Sequence, residues 1–172
     1  MEAPAQRFIL EDEQASQAFA IQMAEALKKS KLWRQGLVVH LLGDLGAGKS
    51  FLVRGLIQAF APEQKVKSPT YTLVESYSLS FDAQSFTVHH FDLYRLCDPE
   101  ELAFLGVRDL LTPPFIAMIE WPQKGVDWTP EADLLIHLQP ITVNEKVGRV
   151  LTMEGTTQQG VQLLSVLEET FA

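Results

Sequence analysis

The feature that most constrains the fold of this chain is a glycine-rich octapeptide at residues 43–50, Gly-Asp-Leu-Gly-Ala-Gly-Lys-Ser. It satisfies the Walker A pattern, in which a glycine and four further residues precede Gly-Lys and then Ser or Thr. A loop that wraps a polyphosphate needs glycines, because successive backbone N–H groups must approach the phosphates closely and some residues adopt positive φ. Lys49 would bridge the β- and γ-phosphate oxygens, and the Ser50 hydroxyl would be a ligand of Mg²⁺.

The segments that flank this loop have the patterns that a phosphate-binding loop requires. Residues 37–42 form a short apolar run that suits a strand buried on both faces. Residues 51–60 place apolar side chains at four-residue spacing, and Pro62 ends the predicted helix. The order of strand, loop and helix directs the partial positive charge of a helix N-terminus at the phosphates. Binding of a nucleoside triphosphate is therefore the strongest inference from the residues alone.

Other patterns along the chain alternate between helix and strand. We expect an amphipathic helix over residues 11–29 with Asp12 as its N-cap. Residues 71–79 and 86–91 are rich in β-formers, and the polar turn between them predicts an antiparallel hairpin. Asp98 precedes proline and two acidic residues, which predicts a short helix that runs to about Gly106.

The C-terminal part of the chain contains three further predicted elements. Residues 134–138 and 149–153 have strand patterns, and residues 160–171 have the pattern of a closing helix. No internal repeat, low-complexity tract or linker interrupts the sequence, so we expect residues 1–172 to form a single domain. The residues expected to face inward on the closing helix are Val161, Leu164, Val166 and Leu167.

Two carboxylates are candidates for the metal and for the attacking water. Residues 115–119 form another apolar run that Glu120 ends, and Asp92 follows the predicted strand 86–91. Doubly wound sheets bind ligands at the carboxyl ends of their strands, and phosphoryl transfer needs groups that hold Mg²⁺ and orient water. Taken singly, either carboxylate could equally be a helix cap or a surface acid.

Thr70 and Thr72 lie between the predicted loop helix and the hairpin. A segment at that position could reach the γ-phosphate, as switch loops do. Serine and threonine in such stretches more often serve turns and strands, so both interpretations stay open here.

The composition excludes some classes of partner. The formal net charge is −8 at pH 7, whereas nucleic-acid-binding proteins usually carry a basic face that neutralises phosphates. We therefore expect contact with RNA only through a protein partner.

No run approaches the ~18 apolar residues needed to span a bilayer, and the N-terminus lacks signal-peptide features, so we expect no membrane association and a cytoplasmic location. A single cysteine, Cys97, fits a reducing compartment and excludes a cysteine-based zinc cage.

Four motifs occur in order along the chain. They are the octapeptide at 43–50, Ser-Pro-Thr-Tyr-Thr-Leu-Val at 68–74, His-Phe-Asp-Leu-Tyr-Arg-Leu at 90–96 and Ile-Glu-Trp-Pro at 119–122. The middle two are not general to proteins that contain a Walker A loop. Together the four motifs resemble the TsaE (YjeE) family, and the resemblance covers most of the chain, from the helix near Ser16 to the closing helix.

The resemblance implies an α/β protein with the P-loop NTPase fold, in three layers around a mixed, mainly parallel sheet with an antiparallel hairpin. It implies weak, Mg²⁺-dependent hydrolysis of ATP in support of the complex that makes threonylcarbamoyladenosine at adenosine 37 of tRNA. In that complex the family is associated with TsaD, which carries the transfer chemistry, and with TsaB. ATP turnover would reset this assembly between cycles, and the chain would meet tRNA only indirectly.

The resemblance also implies roles for individual residues. Lys49, Asp92 and Glu120 are the implied catalytic residues, Ser50 and Glu120 are the implied metal ligands, and residues 68–72 would be a nucleotide-sensitive switch. The implied nucleotide-binding residues are Ser16, Asp44, Leu45, Gly46, Ala47, Gly48, Lys49, Ser50, Phe51, Thr70, Thr72 and Trp121.

Two positions depart from the family's pattern. The family usually has threonine where Ser50 stands, but serine keeps the hydroxyl that a metal ligand requires. It commonly has an acid where Gln123 stands, which is outside the positions assigned to catalysis. Residues 144–159 match the family poorly, so no functional residue is carried over from them.

Three other functions use the same kind of loop. A small-molecule kinase commonly closes an arginine-bearing lid over the phosphates, whereas the six arginines of this chain are scattered. A switch GTPase needs an Asn-Lys-x-Asp stretch, and the only asparagine, Asn144, does not begin one. A nucleotide-gated binding module, in which ATP occupancy matters and hydrolysis is incidental, is compatible with the sequence.

Overall fold

The computed structural model describes residues 4–171, which form a seven-stranded sheet and five α-helices. The strands are β1 (Ala5–Leu10), β2 (Leu37–Leu42), β3 (Val74–Phe81), β4 (Gln84–Asp92), β5 (Phe115–Glu120), β6 (Leu134–Val143) and β7 (Lys146–Gly155). The helices are α1 (Glu13–Ser30), α2 (Lys49–Phe60), α3 (Glu101–Phe104), α4 (Val107–Leu110) and α5 (Gln158–Phe171).

The sheet is parallel at its centre and antiparallel at both edges, in the order β1-β7-β6-β2-β5-β4-β3. Strands β6, β2, β5 and β4 pair in parallel, while β3 and β7 run the other way and β1 pairs antiparallel with β7. Five of the seven strands therefore point in the same direction. The predicted mixed, mainly parallel sheet and the hairpin of β3 and β4 are confirmed.

Helices cover both faces of this sheet and produce three layers. Apolar side chains of α1, α2 and α5 pack together on one face in a large core that includes the fully buried Trp33. The short helices α3 and α4 contribute Leu102 and Val107 to a smaller core on the other face. Strands β2 and β5 lie between these layers, which explains why both sequences read as continuous apolar runs.

The N-terminal end of α1 confirms the predicted cap. The Asp12 carboxylate accepts a hydrogen bond from the Ala15 N–H at 2.8 Å and so satisfies one of the free donors of the first turn. The helix ends where Lys31 adopts the left-handed conformation, at φ 52°.

Several predicted details differ from the structure. Strand β1 was not predicted: it is a short edge strand in which exposed residues alternate with half-buried ones up to the buried Leu10, so its apolar pattern is weak. The short helix predicted after Asp98 is the four-residue α3, and a second short helix that was not predicted, α4, follows the left-handed Gly106. Strands β6 and β7 extend well beyond their predicted ends, because they continue together to a turn at residues 144–145.

The buried face of α5 also differs from the prediction. The helix begins at Gln158, and its buried residues are Gly160, Leu163, Leu164 and Leu167. Val161 was expected to face inward but is 38% exposed. The reason is rotational phase: the stripe centred on Leu163 and Leu167 leaves Val161 on the flank of the helix.

Among residues 4–171, no helix has the length and apolar character that crossing a membrane would require.

Candidate functional site

The loop between β2 and α2 has the backbone geometry of a phosphate cradle. Gly43 and Gly48 have φ values of 149° and 103°, which side-chain-bearing residues rarely adopt. A Cβ atom on Gly43 would also lie 2.5 Å from the carbonyl oxygen of Leu138, so this position requires glycine for space as well. The loop leads directly into the first turn of α2 at Lys49, where the free N–H groups of a helix N-terminus favour an anion.

Lys49 is held in a defined position at the base of this loop. Its ammonium donates a hydrogen bond to the Gly43 carbonyl oxygen at 2.5 Å and lies 3.8 Å from the ring centroid of Trp121. Burial lowers the pKa of Lys49 below its usual value, and the negative charges of Glu120, Asp92 and Asp44 oppose that shift.

Trp121 reaches the Lys49 ammonium from an uncommon backbone conformation. Its φ of 58° lies in the left-handed region, which costs a non-glycine residue roughly 1–3 kcal/mol. Such strain concentrates at ligand sites, and here it turns the chain sharply after β5, so that the indole covers the ammonium.

Glu120 connects the loop helix to the centre of the sheet. It is the last residue of β5, is 3% exposed, and accepts a hydrogen bond from the Ser50 hydroxyl at 2.8 Å on Oε2. The same oxygen lies 2.5 Å from Nε2 of His90, a buried histidine of β4. The two predicted metal ligands are therefore already in direct contact with each other.

Asp92 lies beside Glu120 because β4 and β5 are parallel and these two residues are register partners at the carboxyl ends of both strands. Its Oδ1 accepts a hydrogen bond from the Tyr94 N–H at 3.1 Å. Burial raises the pKa of Asp92, and the negative charge of Glu120 acts in the same direction. The site therefore brings together two carboxylates and one ammonium at the end of the Walker A strand.

These groups line one cavity of about 250 Å³, formed by Leu45, Gly46, Ala47, Gly48, Lys49, Ser50, Phe51, Asp92, Glu120 and Trp121. A second, smaller cavity of about 130 Å³ shares Gly48 and Phe51 with it and also includes Ser16. The structure thus places most of the predicted site residues in two adjoining cavities at one end of the sheet.

The remaining predicted residues lie elsewhere. Asp44 is exposed, and its carbonyl oxygen accepts the Ala47 N–H inside the loop. Thr70 contacts the Ser68 hydroxyl at 2.5 Å, and the Thr72 hydroxyl donates to Glu75 at 3.0 Å. Neither threonine lines the cavity, so their contact with a nucleotide stays a prediction.

Two residues at the site were missed by the sequence analysis. Arg149 of β7 lines the second cavity, and its guanidinium lies 3.5 Å from the Gly46 carbonyl oxygen. No functional residue was carried over from residues 144–159, so Arg149 was not considered. His90 was visible as the first residue of the third motif, but its spacing gave no indication that it reaches Glu120.

The donor set of the site fits Mg²⁺. Within the described part of the chain, no group of three or more His, Cys, Asp or Glu side chains could hold a metal by itself. Mg²⁺ is usually bound by one or two carboxylates together with substrate phosphates and water, so the protein's share of ligands is small. The Ser50 hydroxyl and the Glu120 carboxylate supply hard oxygen ligands next to the phosphate cradle.

Comparisons with known proteins agree with this geometry. The family model described as "Threonylcarbamoyl adenosine biosynthesis protein TsaE" matches residues 10–149. The TsaE protein of Haemophilus influenzae is 46% identical over 127 residues, which are 74% of this chain and 77% of that protein. The TsaE protein of Rickettsia conorii is 33% identical over 150 residues, which are 84% and 83% of the two chains.

The fold is also found in a solved structure. The crystal structure of Bacillus subtilis YdiB matches with a TM-score of 0.73 over 100% of this chain and 99% of that one, at 18% sequence identity. The α/β fold predicted from the sequence is confirmed by this match, as is the predicted family by the sequence comparisons. This chain belongs to the TsaE family, whose curated members are tRNA threonylcarbamoyladenosine biosynthesis proteins.

Proposed function

We propose that the chain is a single-domain, Mg²⁺-dependent ATPase that serves tRNA threonylcarbamoyladenosine biosynthesis. The observation that carries this proposal is the contact between Ser50 of the Walker A loop and Glu120 at the end of the neighbouring strand. A phosphate cradle alone indicates binding, whereas a cradle joined to buried acidic groups also provides for a metal and a water molecule. Membership of the family adds the biological process.

Each residue of the site has a distinct task in this proposal. The loop amides and Lys49 bind the β- and γ-phosphates, and Ser50 and Glu120 hold Mg²⁺. Bound Mg²⁺ would neutralise charge that develops on the phosphate oxygens. Asp92, beside Glu120, orients the attacking water. Its raised pKa reflects a partly desolvated position, which suits a group that exchanges a hydrogen bond with that water.

We further propose that turnover resets an assembly with TsaD and TsaB, as the family resemblance implies, and that this takes place in the cytoplasm. Residues 68–72 would report the nucleotide state to those partners. Tyr71 is 85% exposed within this segment, and the Leu73 carbonyl oxygen accepts the Asp92 N–H at 2.9 Å. A movement of Asp92 would therefore be transmitted through this backbone hydrogen bond to the segment that carries the exposed Tyr71.

The first test is ATP hydrolysis by the purified protein with Mg²⁺, alone and after addition of TsaD and TsaB. We expect slow turnover that the partners stimulate, no nucleotide binding in Lys49→Ala, and binding without turnover in Glu120→Ala and Asp92→Ala. Binding is measured separately, by calorimetry with ADP, so that loss of binding and loss of chemistry are distinguished.

Either of two outcomes would change the proposal. Unchanged hydrolysis in both carboxylate variants would remove Glu120 and Asp92 from the mechanism. Mg²⁺-dependent binding without turnover under any condition would favour a nucleotide-gated binding module, for which the exposed Tyr71 offers a surface for a partner.

A further inference from the structure

His90 is a fully buried polar side chain that the proposed chemistry does not use. It lies on β4, is 1% exposed, and its Nε2 is 2.5 Å from Oε2 of Glu120. Within residues 4–171 its other ring nitrogen, Nδ1, is buried and has no hydrogen-bond partner. The single hydrogen bond of this imidazole is therefore made to a predicted metal ligand.

The direction of this hydrogen bond follows from the acceptor. A carboxylate oxygen accepts hydrogen bonds, so Nε2 of His90 is the donor of this one. The Ser50 hydroxyl donates to the same oxygen of Glu120 at 2.8 Å. Two donors from two different elements thus converge on Oε2 and restrict the rotation of the Glu120 side chain.

The neighbouring histidine provides a contrast on the same strand. His89 is also buried, at 4% exposure, but successive residues of a strand point to opposite faces of the sheet. Its Nδ1 lies 2.7 Å from the Ser76 hydroxyl, and its ring lies near Phe91 and Phe115 in the core of the other face. His89 therefore serves packing, whereas His90 reaches the site.

We propose that His90 is a positioning residue that holds the Glu120 carboxylate in the orientation required for Mg²⁺. This inference rests on the proposed nucleotide and Mg²⁺ site. Ser50 can donate its O–H to Glu120 while a lone pair of the same oxygen binds Mg²⁺, and His90 adds a second donor from β4 that fixes the carboxylate from another element. Partners of metal-binding carboxylates typically change metal affinity by about 10- to 100-fold when they are removed.

The test measures how ADP binding depends on Mg²⁺. The affinity for ADP is determined by calorimetry in EDTA and over a series of Mg²⁺ concentrations for wild type, His90→Leu and His90→Gln. Leucine removes the donor, whereas the glutamine side-chain amide can place an N–H near the position of Nε2. We expect equal ADP binding in EDTA, a Mg²⁺ midpoint raised about 10- to 100-fold in His90→Leu, and a midpoint close to wild type in His90→Gln.

His89→Leu is the matched control, because it removes a buried histidine from the same strand without touching Glu120. It should leave the Mg²⁺ midpoint unchanged. If His90→Leu does not fold, His90→Asn replaces it, since the shorter amide keeps polarity at the Nδ1 position but cannot reach Glu120. In that case we expect His90→Gln to keep the Mg²⁺ midpoint of the wild type and His90→Asn to raise it.

The outcomes separate this inference from the function on which it rests. An unchanged midpoint in His90→Leu, with normal Mg²⁺-dependent binding by the wild type, overturns the role of His90 and leaves the proposed function intact. Loss of ADP binding in EDTA also overturns it, because His90 would then shape the nucleotide cavity itself. A wild-type protein that binds no nucleotide, or binds it without regard to Mg²⁺, refutes both proposals.

Discussion

At the scale of single residues, Asp92 occupies a position in the site where its ionised form lowers the stability of the fold. Asp92 is a half-buried carboxylate beside Glu120, and burial raises its pKa above the usual value for aspartate. A raised pKa means that ionisation is less favourable in the folded than in the unfolded protein. The contribution of Asp92 to stability is therefore greatest at low pH, where both states are protonated, and falls as the pH rises through the raised value.

Asp92→Asn should remove this penalty while it abolishes turnover. The amide oxygen can still accept the Tyr94 N–H, so the local turn is kept. At pH 8 we expect a melting temperature roughly 1–4 °C above that of the wild type, with a difference that disappears as the pH approaches the ordinary aspartate range near about 4.

Scanning calorimetry over a pH series measures this effect, and Asp109→Asn, which changes an exposed carboxylate, is the control. A lower melting temperature at pH 8, or a difference that does not vary with pH, would contradict the account of Asp92.

At the scale of elements, one buried carboxylate joins three segments near the amino end of β2. Asp133, which is 9% exposed, accepts the Val38 N–H at 2.8 Å and the Thr157 hydroxyl at 2.7 Å. Helix α5 approaches this point so closely that a Cβ atom on Gly160 would overlap the Asp133 carbonyl oxygen. The docking of the last helix therefore depends on a glycine within a helical turn.

Gly160→Ala should destabilise the protein although alanine is the better helix former by about 1 kcal/mol. The methyl group must push α5 away from backbone atoms that cannot move aside, and such overpacking typically costs about 1–3 kcal/mol.

Urea unfolding followed by circular dichroism gives the free energy of unfolding. Ser165→Ala, on the exposed side of the same helix, is the control and should stay within about 0.5 kcal/mol of wild type. If the Gly160→Ala variant has the same free energy of unfolding as the wild type, α5 can move to accommodate the methyl group without loss of stability.

At the scale of the whole molecule, the negative net charge disfavours direct binding of RNA by this chain. The net charge of −8 repels phosphates over the surface as a whole. The cations of the site are also directed inward: Lys49 is buried, and Arg149 lies against the loop. Contact with tRNA is therefore expected to come through protein partners.

The purified chain alone should bind tRNA with a dissociation constant no tighter than about 10⁻⁶ M at physiological salt, the range of non-specific binding. Fluorescence anisotropy with labelled tRNA at 50 and 200 mM salt measures this, and the same titration after addition of TsaD and TsaB shows whether partners supply the contact. Tight binding by the chain alone that weakens steeply with salt would refute the prediction.

Local features of this protein could be predicted from the sequence because they depend on neighbouring residues. The Walker A loop needs its glycines and lysine within eight positions, the N-cap Asp12 bonds only three residues away, and β2 and β5 read as apolar runs because both their faces are covered. Glu120 and Asp92 were predicted at strand ends because each directly follows a strand-like run in the sequence.

Long-range proximity was decided only by the tertiary structure. Arg149 reaches the loop because β7 pairs with β6, and His90 reaches Glu120 because β4 lies beside β5 in a particular register. Likewise, the pairing of β1 with β7 and the rotational phase of α5 depend on partners far away in the chain. A local pattern constrains the conformation of its own segment, but which side chains meet across the site depends on how distant segments pack together.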